Sequence, residues 1–154
     1  MKNLKEEHYL LIMGLIGLIV AMVYKGYDNR NEPNEKMLKN TKYTVVKIIS
    51  DFYGNRGVRN GYDYRFLYEN GFKEGHIDGE FVFGRKYLVA YDSTNIRNGY
   101  IILDKFDVTD SLSKYHIEYT QGGYRDGWSL EKMPFQYDKS DIEYAVRTAV
   151  LGFQ

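Results

Sequence analysis

The sequence predicts a mainly β fold: a small five-stranded antiparallel meander or half-open barrel with a C-terminal amphipathic helix, preceded by one transmembrane helix. Three observations predict it. The 154 residues include 16 Tyr, 8 Phe and 15 Gly against 2 Pro, a mixture that favours strands and turns over helices. Period-two alternation of apolar and polar residues recurs between positions 43 and 104. One uncharged run, YLLIMGLIGLIVAMVY from Tyr9 to Tyr24, has no equal elsewhere in the chain.

That run is bounded by Glu6 and Glu7 on one side and Lys25 on the other. As a helix rising ~1.5 Å per residue it reaches about 24 Å, so it must stand nearly upright in a hydrocarbon core of about 30 Å. Tyr9 and Tyr24 take the positions of an aromatic belt, and residues 1–24 read as an uncleaved signal anchor because no small-x-small cleavage site follows Ala21. A cleaved signal peptide and a buried core helix are the rival readings. Lysines flank both ends, Lys2 and Lys5 before the run and Lys25, Lys36, Lys39 and Lys42 after it, so the charge rule for orientation is nearly balanced. The likeness to an uncut signal sequence favours an extracytoplasmic, periplasmic globular part over a cytoplasmic one. Residues 25–42 are polar and contain Asn-Glu-Pro-Asn, which predicts a tether with at most a short helix at Pro33 to Lys39.

Residues 43–104 read as the β-meander domain. Tyr43 to Tyr53 is rich in β-branched residues and ends in a glycine turn. In Tyr62 to Glu69 the aromatics Tyr62, Tyr64, Phe66 and Tyr68 alternate with Asp63, Arg65, Leu67 and Glu69, which predicts a strand with its aromatic face in the core. Asn70-Gly71 suits a two-residue type I′ loop, placing Glu69 opposite Phe72, Leu67 opposite Glu74, Arg65 opposite His76 and Asp63 opposite Asp78. Arg85 to Asp92 and Tyr100 to Asp104 supply the fourth and fifth strands, and five short strands with short connections imply a meander.

The succession Tyr62-x-Tyr-x-Phe-x-Tyr-x-Asn-Gly-Phe72, then GRKYLVAYDSTN from Gly84 to Asn95, then Ile101-Ile102-Leu103-Asp104 resembles the small bacterial membrane proteins of unknown function that join membrane helices to a compact β domain. The resemblance spans residues 9–104 and implies the fold; it carries no activity. This chain has Asn95-Ile96 where that pattern has Asn-Pro, and residues 105–154 have no counterpart in it.

The extension, 105–154, predicts a hairpin over Tyr115 to Tyr124 and a terminal helix. Ser140-Asp141-Ile142-Glu143 reads as a capping box, and Ile142, Ala145, Val146, Ala149, Val150 and Phe153 form one apolar stripe that docks on the sheet, with membrane-surface docking as the alternative.

For chemistry the sequence offers little. Lys plus Arg equals Asp plus Glu at 21 each, which disfavours a nucleic-acid partner, and the absence of cysteine removes disulfides, thiolate metal sites and cysteine nucleophiles. No phosphate loop, dinucleotide fingerprint, nucleophile elbow or zinc-protease motif occurs, so no cofactor and no small-molecule substrate is implied. Glu74, His76 and Asp78 share a strand face at i, i+2 and i+4; as ligands about 7 Å apart on a flat strand they diverge, and a solvated face is the plainer expectation. A small hydrolase or metal-dependent enzyme using them is the alternative to the favoured reading: a non-catalytic module, single-pass in the membrane and immunity-like at its most specific, that contacts another envelope protein. Its partner-binding candidates are Tyr115, Tyr119, Tyr124 and Trp128, aromatics of the extension that can supply large contact area at low entropic cost.

Overall fold

The computed structural model describes residues 3–28, 32–54, 60–69, 71–115 and 127–152. They fall into two units, residues 1–31 and 32–154. The first holds helix α1, Asn3–Asp28, whose Tyr9 and apolar side chains from Leu11 to Met22 are exposed. A helix thus forms where a membrane-crossing one is expected, but among the described residues no helix is long and apolar enough to cross a membrane. The physical reason is length: the uncharged stretch is sixteen residues, against about 20 for a full span.

The second unit begins before the strands. Asn34 caps the short helix α2, Glu35–Lys39, by accepting from the Lys36 amide, and α2 buries Met37 completely in the core. The polar stretch expected to be a tether is therefore part of the folded unit from Glu32 on. It is held by the Asn34 amide on the Asn98 carbonyl and by the close approach of Pro33 to Gly99, where φ is +114° and a Cβ would lie 2.2 Å from the Pro33 Cα.

Strands β1 (Thr41–Ile48), β2 (Tyr62–Tyr68), β3 (Gly71–Ile77), β4 (Lys86–Asp92) and β5 (Tyr100–Asp107) form one antiparallel sheet in the order β3-β2-β1-β4-β5. The sheet is open, and it is not a simple meander: β1 lies at its centre and pairs with both β2 and β4, while β3 and β5 are the edges. Central position explains the uninterrupted burial of Tyr43 to Val46 and of Tyr87 to Asp92, since both faces of these strands are covered. Tyr43, Val45, Leu88, Ala90 and Leu103 face one core with Met37, Phe135, Ile142 and Val146. Val46, Ile48, Tyr64, Phe66, Tyr87, Val89 and Ile102 face the other, which is largely aromatic.

The hairpin of β2 and β3 exists, but its register differs from expectation by two positions. Tyr68 pairs with Gly71, Arg65 with Glu74 and Asp63 with His76. The turn is centred one residue earlier than Asn70-Gly71, and residue 70 itself lies outside the described residues. A displacement by two keeps every side chain on its expected face, so Tyr64 and Phe66 are buried as anticipated. Gly71 is not among the glycines with positive φ; what a side chain there meets is the Tyr68 ring, 2.9 Å from a Cβ.

Beyond β5 come helix α3, Thr109–Lys114, and helix α4, Lys139–Leu151. The expected hairpin over Tyr115 to Tyr124 falls almost wholly on residues outside those described. Helix α4 starts one residue before the expected capping box. Asp138 is its N-cap, accepting from the amide and hydroxyl of Ser140 at 2.8 and 2.7 Å, and Glu143 pairs with Arg147 instead of reaching back. The helix buries Ile142 and Val146 against the first core, with Ala145 and Val150 beside them.

Candidate functional site

A concavity lies between β5 and α4. Its volume is about 650 Å³, and its lining is mostly apolar. Two features of the sequence build it. First, β5 does not alternate regularly. Leu88 pairs with Leu103, yet the adjacent Tyr87 pairs with Asp107, so Asp104, Lys105 and Phe106 are additional residues bulged out of the ladder with β4. The bulge reverses the sense of alternation: Leu103 and Phe106, three positions apart, both join the first core. Second, α4 turns Ile142 and Val146 inward and leaves Asp141, Ala145, Thr148 and Ala149, one i, i+4, i+7, i+8 stripe, as a wall of the groove. The two alanines leave room along the strand.

Polar groups in the groove are partly engaged. The Tyr137 hydroxyl donates to the Asp107 carbonyl at 2.6 Å while its ring packs edge-on against Phe106, and Thr148 donates to the Tyr144 carbonyl at 2.7 Å. Asp104, Lys105 and Asp141 stand at the rim, and none of them forms an ion pair among the described residues. β5 ends the sheet, so along the groove one side of its backbone has no strand neighbour among the described residues.

Glu74, His76 and Asp78 do not converge. Glu74 accepts from the Arg65 guanidinium, His76 Nδ1 lies 3.0 Å from Asp63 Oδ1, and Asp78 accepts from the Gly79 amide at 2.9 Å. Among the described residues no group of three or more His, Asp or Glu side chains is placed to hold a metal ion. The polar cluster that does form joins His76 to Asp63 and Tyr53, whose hydroxyl donates to the same carboxylate oxygen at 2.8 Å and whose ring lies 5.0 Å from the imidazole. The hydrogen bonds from His76 and Tyr53 hold the Asp63 carboxyl below its ordinary range. The hydroxyl beside them, Ser50 Oγ, accepts from the Asp63 amide and donates to the Asp51 carbonyl, so its proton is not directed at the imidazole as a nucleophile requires.

A second, smaller concavity of about 200 Å³ lies between α2 and α4, lined by Tyr43, Glu131, Glu143 and Arg147 among others. Burial pushes the Tyr43 phenol up to about 12, with the Glu143 and Glu131 carboxylates adding to the effect.

Of the aromatic residues expected on a binding face, Tyr119 and Tyr124 lie outside the described residues. Tyr115 closes α3 and packs partly buried against the first core. Trp128 is half-buried in the same core, edge-on to Phe135 at 5.4 Å, and its backbone exchanges two hydrogen bonds of 2.8 Å with Tyr43. Those two side chains face the interior of the unit. The groove residues were missed by sequence reasoning, although Leu103-Asp104-Lys105-Phe106, in which apolar positions recur at an odd spacing, is the signal of a bulge.

Comparison of the chain with protein-family models, curated proteins and solved structures finds no match.

Proposed function

We propose that the chain is a non-catalytic binding module, held at a membrane by α1, that contacts another envelope protein through the groove between β5 and α4. The observation that carries the reading is the groove itself: an apolar concavity of about 650 Å³ with a few polar groups at its rim, the general form of a ligand site. For the membrane, the support is that ten apolar side chains from Tyr9 to Met22 are each more than half exposed. The sixteen-residue uncharged stretch of α1 is short of a full span, so the proposed anchoring relies on local thinning of the bilayer and on the flanking lysines reaching to the interface. In this reading the globular part lies outside the cytoplasm, in the periplasm, and what supports that side is the likeness of residues 1–24 to an uncut signal sequence. Glu74, His76 and Asp78, each tied to a different neighbour, support a binding role over an enzymatic one.

Ala149 is exposed on the groove wall, so Ala149→Trp fills the site without entering the core. In-membrane cross-linking of the full chain with its neighbours should give an adduct that this variant loses while its melting temperature is unchanged. An adduct that persists in Ala149→Trp removes the groove from the function. Recovery of the chain in the soluble fraction without detergent removes the anchor.

A further inference from the structure

We infer that the groove recognises an extended peptide segment, alternating apolar and basic residues, which adds to β5 as a sixth strand. This deepens the reading of the groove as a protein-binding site and rests on it. The argument concerns which ligand chemistry the site can satisfy. One wall is the side of β5 that has no strand neighbour among the described residues, whose outward amides and carbonyls need hydrogen-bond partners when covered. A hydrocarbon chain laid there strips water from those groups and returns no hydrogen bond in exchange. An extended peptide returns donors and acceptors at matching spacing and sends alternate side chains toward the apolar floor.

The bulge sets the limits of that pairing. From Tyr100 to Leu103 the strand keeps regular register with β4, whereas Asp104 to Phe106 leave the ladder. An added strand therefore pairs along Tyr100 to Leu103 and stops at the bulge, where bulges commonly terminate pairing. Charge specifies the rest. The rim carries two carboxylates, Asp104 and Asp141, against one ammonium, Lys105, and none is paired within the described residues. Basic residues on the solvent side of the incoming strand complement that rim, and acidic ones are repelled.

The test uses the isotope-labelled full chain in detergent micelles, with a blocked peptide of about eight residues alternating valine and lysine as the probe. Saturating peptide should slow hydrogen exchange of the β5 edge amides by about tenfold or more and shift the Ala145 and Ala149 methyl signals. A valine–glutamate peptide should bind at least about fivefold more weakly, and Asp141→Lys should reverse that order. Peptide binding that leaves β5 exchange unchanged overturns the inference, as does decanoate occupying the groove in its place. The two levels separate cleanly. If Ala149→Trp abolishes the cross-linked adduct but β5 amides exchange equally fast with and without the valine–lysine peptide, strand addition fails and the groove reading stands. If the adduct survives Ala149→Trp, the groove reading itself fails.

Discussion

Tyr64 on β2 and Tyr100 on β5 bring their hydroxyls into hydrogen-bond contact, although β1 and β4 lie between those strands in the sheet. Such a contact requires the sheet to curl until its second and fifth positions face each other across the aromatic core. Phe66 completes the bridge, its ring 5.2 Å from that of Tyr100. The open sheet is thus spanned by side chains where a barrel is closed by backbone, and the Tyr64 phenol, buried and held by Tyr100, has its pKa pushed well above the ordinary 10.

Removing either hydroxyl should loosen this span. Tyr64→Phe and Tyr100→Phe are each expected to cost about 1 kcal/mol in urea unfolding, and the double variant little more than either single one, because both delete the same bond. Strict additivity in the cycle would show that the hydroxyls act independently.

Asp92 should be the most sensitive carboxylate. It is 1% exposed and accepts from the Thr94 amide and hydroxyl, the Asn95 amide and the Asn98 side chain. Burial raises its pKa, but the hydrogen bonds, Asn98 and Thr94 foremost, outweigh burial and hold it below the ordinary 3.8. Between the folded and unfolded pKa values the unfolded chain binds more protons, so the stabilisation is complete above about pH 4 and is lost as pH falls below it. Asp92→Ala should lower stability at pH 7 by about 2–3 kcal/mol and flatten the acid limb of a midpoint-against-pH curve; an unaltered acid limb would refute this assignment.

Tyr43 predicts the behaviour at the alkaline end. Its pKa of about 12 exceeds the ordinary 10, so the folded chain keeps a proton that the unfolded chain has lost. The contribution is whole below pH 10 and disappears as pH rises toward 12. Phenolate absorbance should detect the late titration, and Tyr43→Phe should reduce the alkaline loss of stability. Titration of every tyrosine near 10 in the folded protein would contradict it.

Trp128→Ala is expected to destabilise the unit by about 2 kcal/mol, since it removes the ring packed on Phe135 and opens space beside the first core. Calorimetry decides: a melting temperature equal to that of the parent would return Trp128 to the list of surface anchors.

Strand content and facing were legible in the sequence because alternation is a local property. Tyr64 and Phe66 are buried as their period-two pattern implies, and the hairpin forms where the aromatic run meets Gly71. Register was less legible: Asn-Gly marks a preferred turn, yet Tyr68 pairs with Gly71, with the Tyr68 ring lying over the glycine. Strand order was not legible at all. Pairing of β1 with β4 joins Tyr43 to Ala90 across the intervening hairpin, and nothing within a short window of sequence records it. The groove was hidden for the same reason, since its walls are brought together only after α4 docks. His76 could be seen, but its partner Tyr53 lies on a different segment. The cap of α4 was misplaced by two residues because Asp138 and Ser140 both suit the role, and Asp138 holds the Ser140 amide.

The bridge between Tyr43 and Trp128 also imposes a timetable on synthesis. Near its beginning, the central strand exchanges hydrogen bonds with a residue that emerges 128 − 43 = 85 positions later. At about 5–20 residues per second a ribosome needs roughly 4 to 17 s to cover that interval. Through all of it the Tyr43 amide and carbonyl wait without their native partner, and a nascent chain halted anywhere before residue 128 carries the strands of the sheet, which end at Asp107, without this bridge. Native pairing at this point is therefore an event of late translation, governed by the arrival of Trp128.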